Sequence, residues 1–103
     1  MITPEEVKII INVLKEYYNY LSEKRKESYT RINIVQNIFD FQFKYIRNVD
    51  LLVSIRKKIK AYKKVCGDEK KEMVEKALTC IERAIEYKMN KGEYKTDEQI
   101  CKG

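Results

Sequence analysis

Apolar residues recur every three or four positions through most of this chain, the spacing of a single helical face. The pattern starts behind "TPEE", residues 3–6. Thr3 is placed to cap a helix, Pro4 suits a first helical position whose N–H would lack a partner anyway, and Glu6 completes a capping box. Val7, Ile10, Ile11, Leu14, Tyr17, Tyr18 and Leu21 then follow one stripe. A first helix is predicted over 4–26, ending within "SEKRKES".

The stretch "IFDFQFKYI", residues 38–46, breaks this rhythm, with three phenylalanines and a tyrosine at every second position. Such alternation is the mark of a half-buried strand. A window of 31–48 gives a different answer. On a helical wheel Asn33, Gln36, Asn37, Asp40, Lys44, Arg47 and Asn48 fall in one polar arc of roughly 120°. Ile32, Val35, Phe39, Phe43 and Ile46 form one apolar cluster, and Ile34, Ile38, Phe41 and Tyr45 form another. A strand leaves Ile34–Val35 and Tyr45–Ile46 out of phase, and no other segment offers it a pairing partner. A helix over 31–47 accounts for the window, with only Arg31 and Gln42 intruding on an apolar arc of about two-thirds of its circumference.

Beyond residue 48 the wheel loses phase, so a new helix is predicted over 50–65, with Asn48 and Asp50 as cap candidates. Leu52, Ile55, Ile59, Tyr62 and Cys66 alternate spacings of three and four, a narrow seam of coiled-coil type. Gly67 is read as a C-cap and Asp68 as the cap of a fourth helix over 69–89. Val74, Ala77, Leu78, Ile81, Ala84 and Ile85 form its stripe. Gly92 follows, and "TDEQ" at 96–99 offers one more turn at most. Four helices with short connections predict an all-α fold, a small antiparallel four-helix bundle over 1–92 with a tail over 93–103.

Composition agrees and excludes several chemistries. Apolar residues make up 44% of the 103, enough for one core. One proline and three glycines leave little for the turns of an all-β fold. The longest run at the N-terminus, Ile9–Ile11, is far too short for a signal-peptide core or a membrane span, so a cytoplasmic chain is expected. Cys66, Cys80 and Cys101 are odd in number and widely spaced, and the chain has no histidine, so neither zinc nor another cofactor is expected. Cys66 falls at a helix turn and Cys80 about 18 Å further along the next helix, too far for a disulfide between them. Without histidine, triads and imidazole bases are absent. No glycine-rich phosphate loop occurs. The carboxylates of the fourth helix interleave with lysines as on a solvated face, and Cys80 has no base beside it. No enzyme is expected.

Charge is more informative. Residues 51–66 carry Arg56, Lys57, Lys58, Lys60, Lys63 and Lys64 and no acid, which equals the entire formal net charge of +6. Arg56, Lys57, Lys60, Lys63 and Lys64 flank the seam and are candidates for contact with nucleic acid or an acidic partner. In "YYNYLSEKRK", Tyr17, Tyr18 and Leu21 continue the core stripe, whereas Tyr20 and Tyr29 are the expected exposed aromatics. The surplus apolar arc of the second helix points to self-association or a partner surface at Ile34, Ile38, Phe41 and Tyr45, unless that helix lies at the bundle centre, wrapped by the others. A membrane partner is not expected, since the seam beside the basic residues is thin and lacks Trp and Phe. The chain therefore reads as a non-catalytic interaction or regulatory protein, oligomeric, whose basic helix contacts nucleic acid or a nucleoprotein. The alternative is a protein–protein modulator or assembly subunit that binds an acidic or hydrophobic surface. Small viral and mobile-element genomes carry many such chains, an analogy of size and composition only.

Overall fold

The computed structural model describes residues 3–25, 28–43 and 49–90. It is all-α: α1 (Pro4–Glu23), α2 (Ser28–Phe43), α3 (Val49–Val65) and α4 (Asp68–Asn90). The stretch with alternating aromatics is helical through Phe43, so Phe39 and Phe41 stand on opposite sides of a helix. Tyr45, Ile46, Gly92, Cys101, the capping box at 96–99 and the tail over 93–103 lie outside the described residues.

The start of α1 forms as its sequence predicts. The Thr3 N–H donates to Glu6 Oε1 at 3.0 Å and the Glu6 N–H to Thr3 Oγ1 at 3.2 Å, so two otherwise orphaned donors are satisfied reciprocally. The helix closes earlier than expected because Arg25 turns to a positive φ of 54°, and its N–H bonds the Ser22 carbonyl. The α3–α4 turn takes only Cys66 and Gly67. Gly67 stays outside the left-handed region, and its carbonyl accepts from the Lys70 N–H at 3.0 Å. It therefore occupies the N-cap place of α4, and Asp68, read from sequence as the cap, is the first helical residue. There its charge suits the positive end of the helix dipole.

Successive helices run antiparallel. Asn37 lies opposite Ser54 across α2 and α3, Lys60 faces Glu82 and Lys63 faces Glu75 across α3 and α4, and Glu16 faces Lys70 across α1 and α4. The cross-section is a diamond. Helices α1 and α3 touch each other and both remaining helices, whereas α2 and α4 sit in opposite grooves of that pair without contact. The core is Ile10, Val13, Leu14, Ile34, Phe41, Leu52, Ile55, Ile59, Val74, Ala77 and Ile81, all completely shielded from solvent. Val13, outside the predicted stripe, is buried because α1 packs on three neighbours and needs a broader apolar face.

Helix α2 is thus at the edge of the bundle, not at its centre. Of its two apolar clusters the fold buries Ile34 and Phe41 of one and leaves Ile32, Val35 and Phe39 of the other exposed, at 67%, 53% and 45%. The expectation of a partner surface at Ile34, Ile38, Phe41 and Tyr45 is corrected for the first three, Tyr45 lying outside the described residues. Ile34 and Phe41 fill the chain's own core, Ile38 is half-buried against it, and the surplus apolar surface is the opposite face. Burial went to the cluster that Asn37 adjoins. Asn37 is itself buried and accepts a hydrogen bond from the Ser54 hydroxyl, which locks α2 on α3.

Candidate functional site

The five basic residues predicted to form a contact surface all lie on α3, but the fold divides them. Lys60 and Lys63 lean toward α4, where Lys60 Nζ stands 3.9 Å from Glu82 and Lys63 Nζ 3.6 Å from Glu75. The expectation that α3's charge has no acid nearby is therefore corrected for these two. Residues 51–66 contain no acid, but α4 lays its carboxylates along that flank. Such exposed pairs add little stability, yet they cancel the local field that would attract an anion. Arg56 is half-buried on the same flank, while Lys57 and Lys64 point outward and are exposed.

The opposite flank faces α2 and differs in kind. Lys57, Lys58 and Ala61 of α3 join Tyr29, Thr30 and Asn33 of α2 and Tyr17 of α1 around an open cleft of about 360 Å³. Neither Lys57 nor Lys58 has a carboxylate partner among the described residues. Lys58 is half-buried, and its Nζ donates to Ser54 Oγ at 2.8 Å. Ser54 in turn donates to Asn37 Oδ1 at 3.4 Å, so the ammonium, hydroxyl and amide form one chain from the cleft into the α2–α3 seam. Burial, and then the neighbouring Lys57 ammonium, push the Lys58 pKa below the usual lysine range.

Tyr17, on the α1 side of this cleft, belongs to a cluster of tyrosines. Tyr17 packs on Tyr62 with centroids 5.5 Å apart and on Tyr20 at 6.4 Å, and Lys24 lies over the Tyr20 ring. Burial raises the Tyr17 and Tyr62 phenols above their ordinary value, so both remain neutral donors. Tyr20, expected outside, is half-buried in this trio. Tyr29 matches its expectation and is the most exposed large apolar side chain described, at 74%. Sequence reasoning counted Lys58 in the basic run but did not single it out, and it passed over Thr30 and Asn33. The available signal was the offset of Lys58 from the Leu52–Ile55–Ile59 seam, on the side away from Lys60 and Lys63.

A third cluster joins α1 to α4. Glu6 Oε2 accepts from Arg83 Nη2 and from the Cys80 thiol at 3.4 Å. The hydrogen bond from the Thr3 backbone, more than any other contact, holds the Glu6 carboxyl below its usual range. Burial, with the Glu6 carboxylate after it, pushes the Cys80 thiol up, so this sulfur is a shielded thiol and not a ready thiolate. Cys66 and Cys80 are both free, as their separation along the chain requires. No group of three residues suited to hold a metal ion occurs among the described residues, and no helix among them is long and apolar enough to cross a membrane. Comparison of the chain with protein-family models, curated proteins and solved structures found no match.

Proposed function

We propose that this chain is a non-catalytic binding protein that holds the phosphate backbone of a nucleic acid along the flank where α3 meets α2. One observation carries the reading. Lys57 and Lys58 share a cleft with hydroxyl, amide and aromatic groups and have no carboxylate partner among the described residues, while Lys60 and Lys63 on the other flank of α3 already face carboxylates of α4. A phosphate is the natural counter-charge for two adjacent ammonium groups, and Thr30 and Asn33 supply further hydrogen-bonding groups at the same height. Binding of this kind is electrostatic. Affinity for a nucleic acid should fall linearly with salt on logarithmic axes, by about 0.7 to 0.9 per phosphate contact. Lys57→Ala with Lys58→Ala should lower that slope by roughly one to two. Lys60→Ala with Lys63→Ala should leave it nearly unchanged, since their charges already face Glu82 and Glu75. A slope that follows the second pair and ignores the first defeats the reading.

A second reading is favoured by a separate observation. Tyr18, Arg31, Ile32, Val35 and Gln36 line a cleft of about 270 Å³ between α1 and α2, and the buried Arg31 Nε has no hydrogen-bond partner among the described residues. An apolar side chain accompanied by a carboxylate would satisfy both features, so the partner there is a protein segment that carries that pair. Val35→Ser should leave stability within about 0.5 kcal/mol, as at most surface sites, and should abolish any concentration-dependent sedimentation of the chain. Sedimentation that Val35→Ser does not change removes self-association from this reading.

A further inference from the structure

If the α2–α3 flank binds nucleic acid, the fold also restricts which form of it. We propose that the ligand is a single strand, with its phosphates on Lys57, Lys58 and Lys64 and an unpaired base stacked on Tyr29. The inference rests on the reading above and adds the strandedness of the ligand and the residue that decides it.

Three features of the surface converge on it. Lys57, Ala61 and Lys64 follow one another at i, i+4 and i+7, so they form a single row along α3, with a small residue between the charges. Lys58 lies beside that row inside the cleft. The result is a narrow track that can follow one backbone.

The charge to either side narrows the track. On the α4 side Glu82 and Glu75 already face Lys60 and Lys63, and the other exposed carboxylates of α4 alternate with Lys71 and Lys76, so that flank offers a second strand no net positive charge. Lys57, Lys58 and Lys64, without a carboxylate partner among the described residues, are gathered in the row and the cleft beside it, a width that suits one backbone.

Tyr29 provides the third argument. With Asn37 opposite Ser54, Tyr29 stands near the level of Tyr62, about one helical turn beyond Lys58. It lines the same cleft as both lysines and keeps most of its ring in water. An exposed ring one turn from a phosphate seat is the arrangement on which an unpaired base stacks, and a paired base offers no free face to it. Lys58 adds support. Ser54 Oγ holds its Nζ at 2.8 Å beside the cleft, and burial pushes its pKa down, a cost that a phosphate at Nζ would offset.

The test uses the full chain and three probes: an oligothymidylate of roughly a dozen nucleotides, a hairpin duplex of the same length, and inorganic polyphosphate. Oligothymidylate should bind roughly tenfold or more tighter than the duplex. Tyr29→Ala should weaken oligothymidylate by about 5- to 100-fold, the loss expected for one stacked base, and leave polyphosphate unchanged. Tyr29→Phe should restore binding, because the ring and not the hydroxyl carries it. Equal affinity for duplex, or indifference to Tyr29→Ala, overturns the single-strand inference while nucleic-acid binding stands. If neither nucleic acid binds at low salt, the proposed function falls and this inference falls with it.

Discussion

Helices α2 and α4 occupy equivalent places on opposite sides of the α1–α3 pair, yet they fill them differently. Helix α4 presents Val74, Ala77, Cys80, Ile81, Ala84 and Ile85 inward, all buried, and through its middle turns it turns charge outward. Its start and middle also meet opposite charges from outside, in Lys70–Glu16, Arg83–Glu6, Lys60–Glu82 and Lys63–Glu75. Helix α2 has two fully buried anchors, Ile34 and Phe41, a buried amide at Asn37, and three large apolar residues in water on its outer face. Through its middle turns α4 is shaped for its seat alone, and Tyr87 and Met89 are exposed only toward its end. Helix α2 carries more apolar surface than its seat can use, and part of it, Ile32 and Val35, lines the cleft against α1.

The sharpest test compares two residues of one type on one helix. Phe41→Ala should cost about 3–5 kcal/mol, because it empties a completely shielded site that α2 cannot refill from its exposed face. Phe39→Ala, 45% exposed, should cost about 1 kcal/mol or less. Chemical denaturation of both variants reads the difference directly. Similar losses would mean that the two faces of α2 are equally covered, and the contrast with α4 would disappear.

That contrast explains what was legible in the chain. The α4 stripe was readable because charged residues bound it on both sides, so only one face could be buried. The seam Leu52–Ile55–Ile59–Tyr62 was readable for the same reason, and all four residues are buried. The start of α1 is a local matter of four residues and was legible in full. Helix α2 was legible as a helix, but not in its orientation, because two apolar clusters of similar size flank one polar arc. The choice between them depends on Ser54 meeting Asn37, a contact between residues 17 apart in sequence. The site was half legible for a related reason. A run of basic residues is visible along one helix, but which of them are cancelled depends on carboxylates a further turn and helix away.

The next effect in size tests the tie between α1 and α4. Thr3→Ala should cost about 1 kcal/mol, since it removes the capping hydroxyl and slackens the Glu6 carboxylate. Glu6 also gives this tie a pH dependence. Its folded-state pKa lies below the ordinary 4.5, so its contribution is complete above that pH and is lost as the pH falls through the folded value. Glu6→Gln should flatten the acid limb of the stability curve below pH 4.5, with little change at neutral pH in the α2–α3 cleft or its ligand binding. A curve of unchanged shape would show that Arg83 and Thr3 do not hold Glu6 in its charged form.

The smallest effects lie in the two turns that lead into α2 and α4, and they run against the usual placement of glycine. Arg25 holds a φ of 54° at the end of α1, where a side chain carries a penalty that glycine avoids. Gly67 keeps an ordinary backbone before α4, and a Cβ added there would meet nothing within 4 Å. Arg25→Gly should therefore stabilise the chain by about 0.5–1 kcal/mol, the relief of the left-handed strain less the added freedom of the unfolded chain. At Gly67 the two contributions can be separated. Gly67→Ala gains unfolded-state entropy but places a poor N-cap residue before α4, so the two nearly cancel. Gly67→Ser gains the same entropy and adds a hydroxyl that can accept from the first free N–H groups of α4, for a net gain of about 0.5–1 kcal/mol. Thermal midpoints of the three variants should rank Arg25→Gly and Gly67→Ser above the parent, with Gly67→Ala beside it. If Gly67→Ala and Gly67→Ser rise together, Gly67 does not cap α4, and α4 owes its firm seat to its buried stripe.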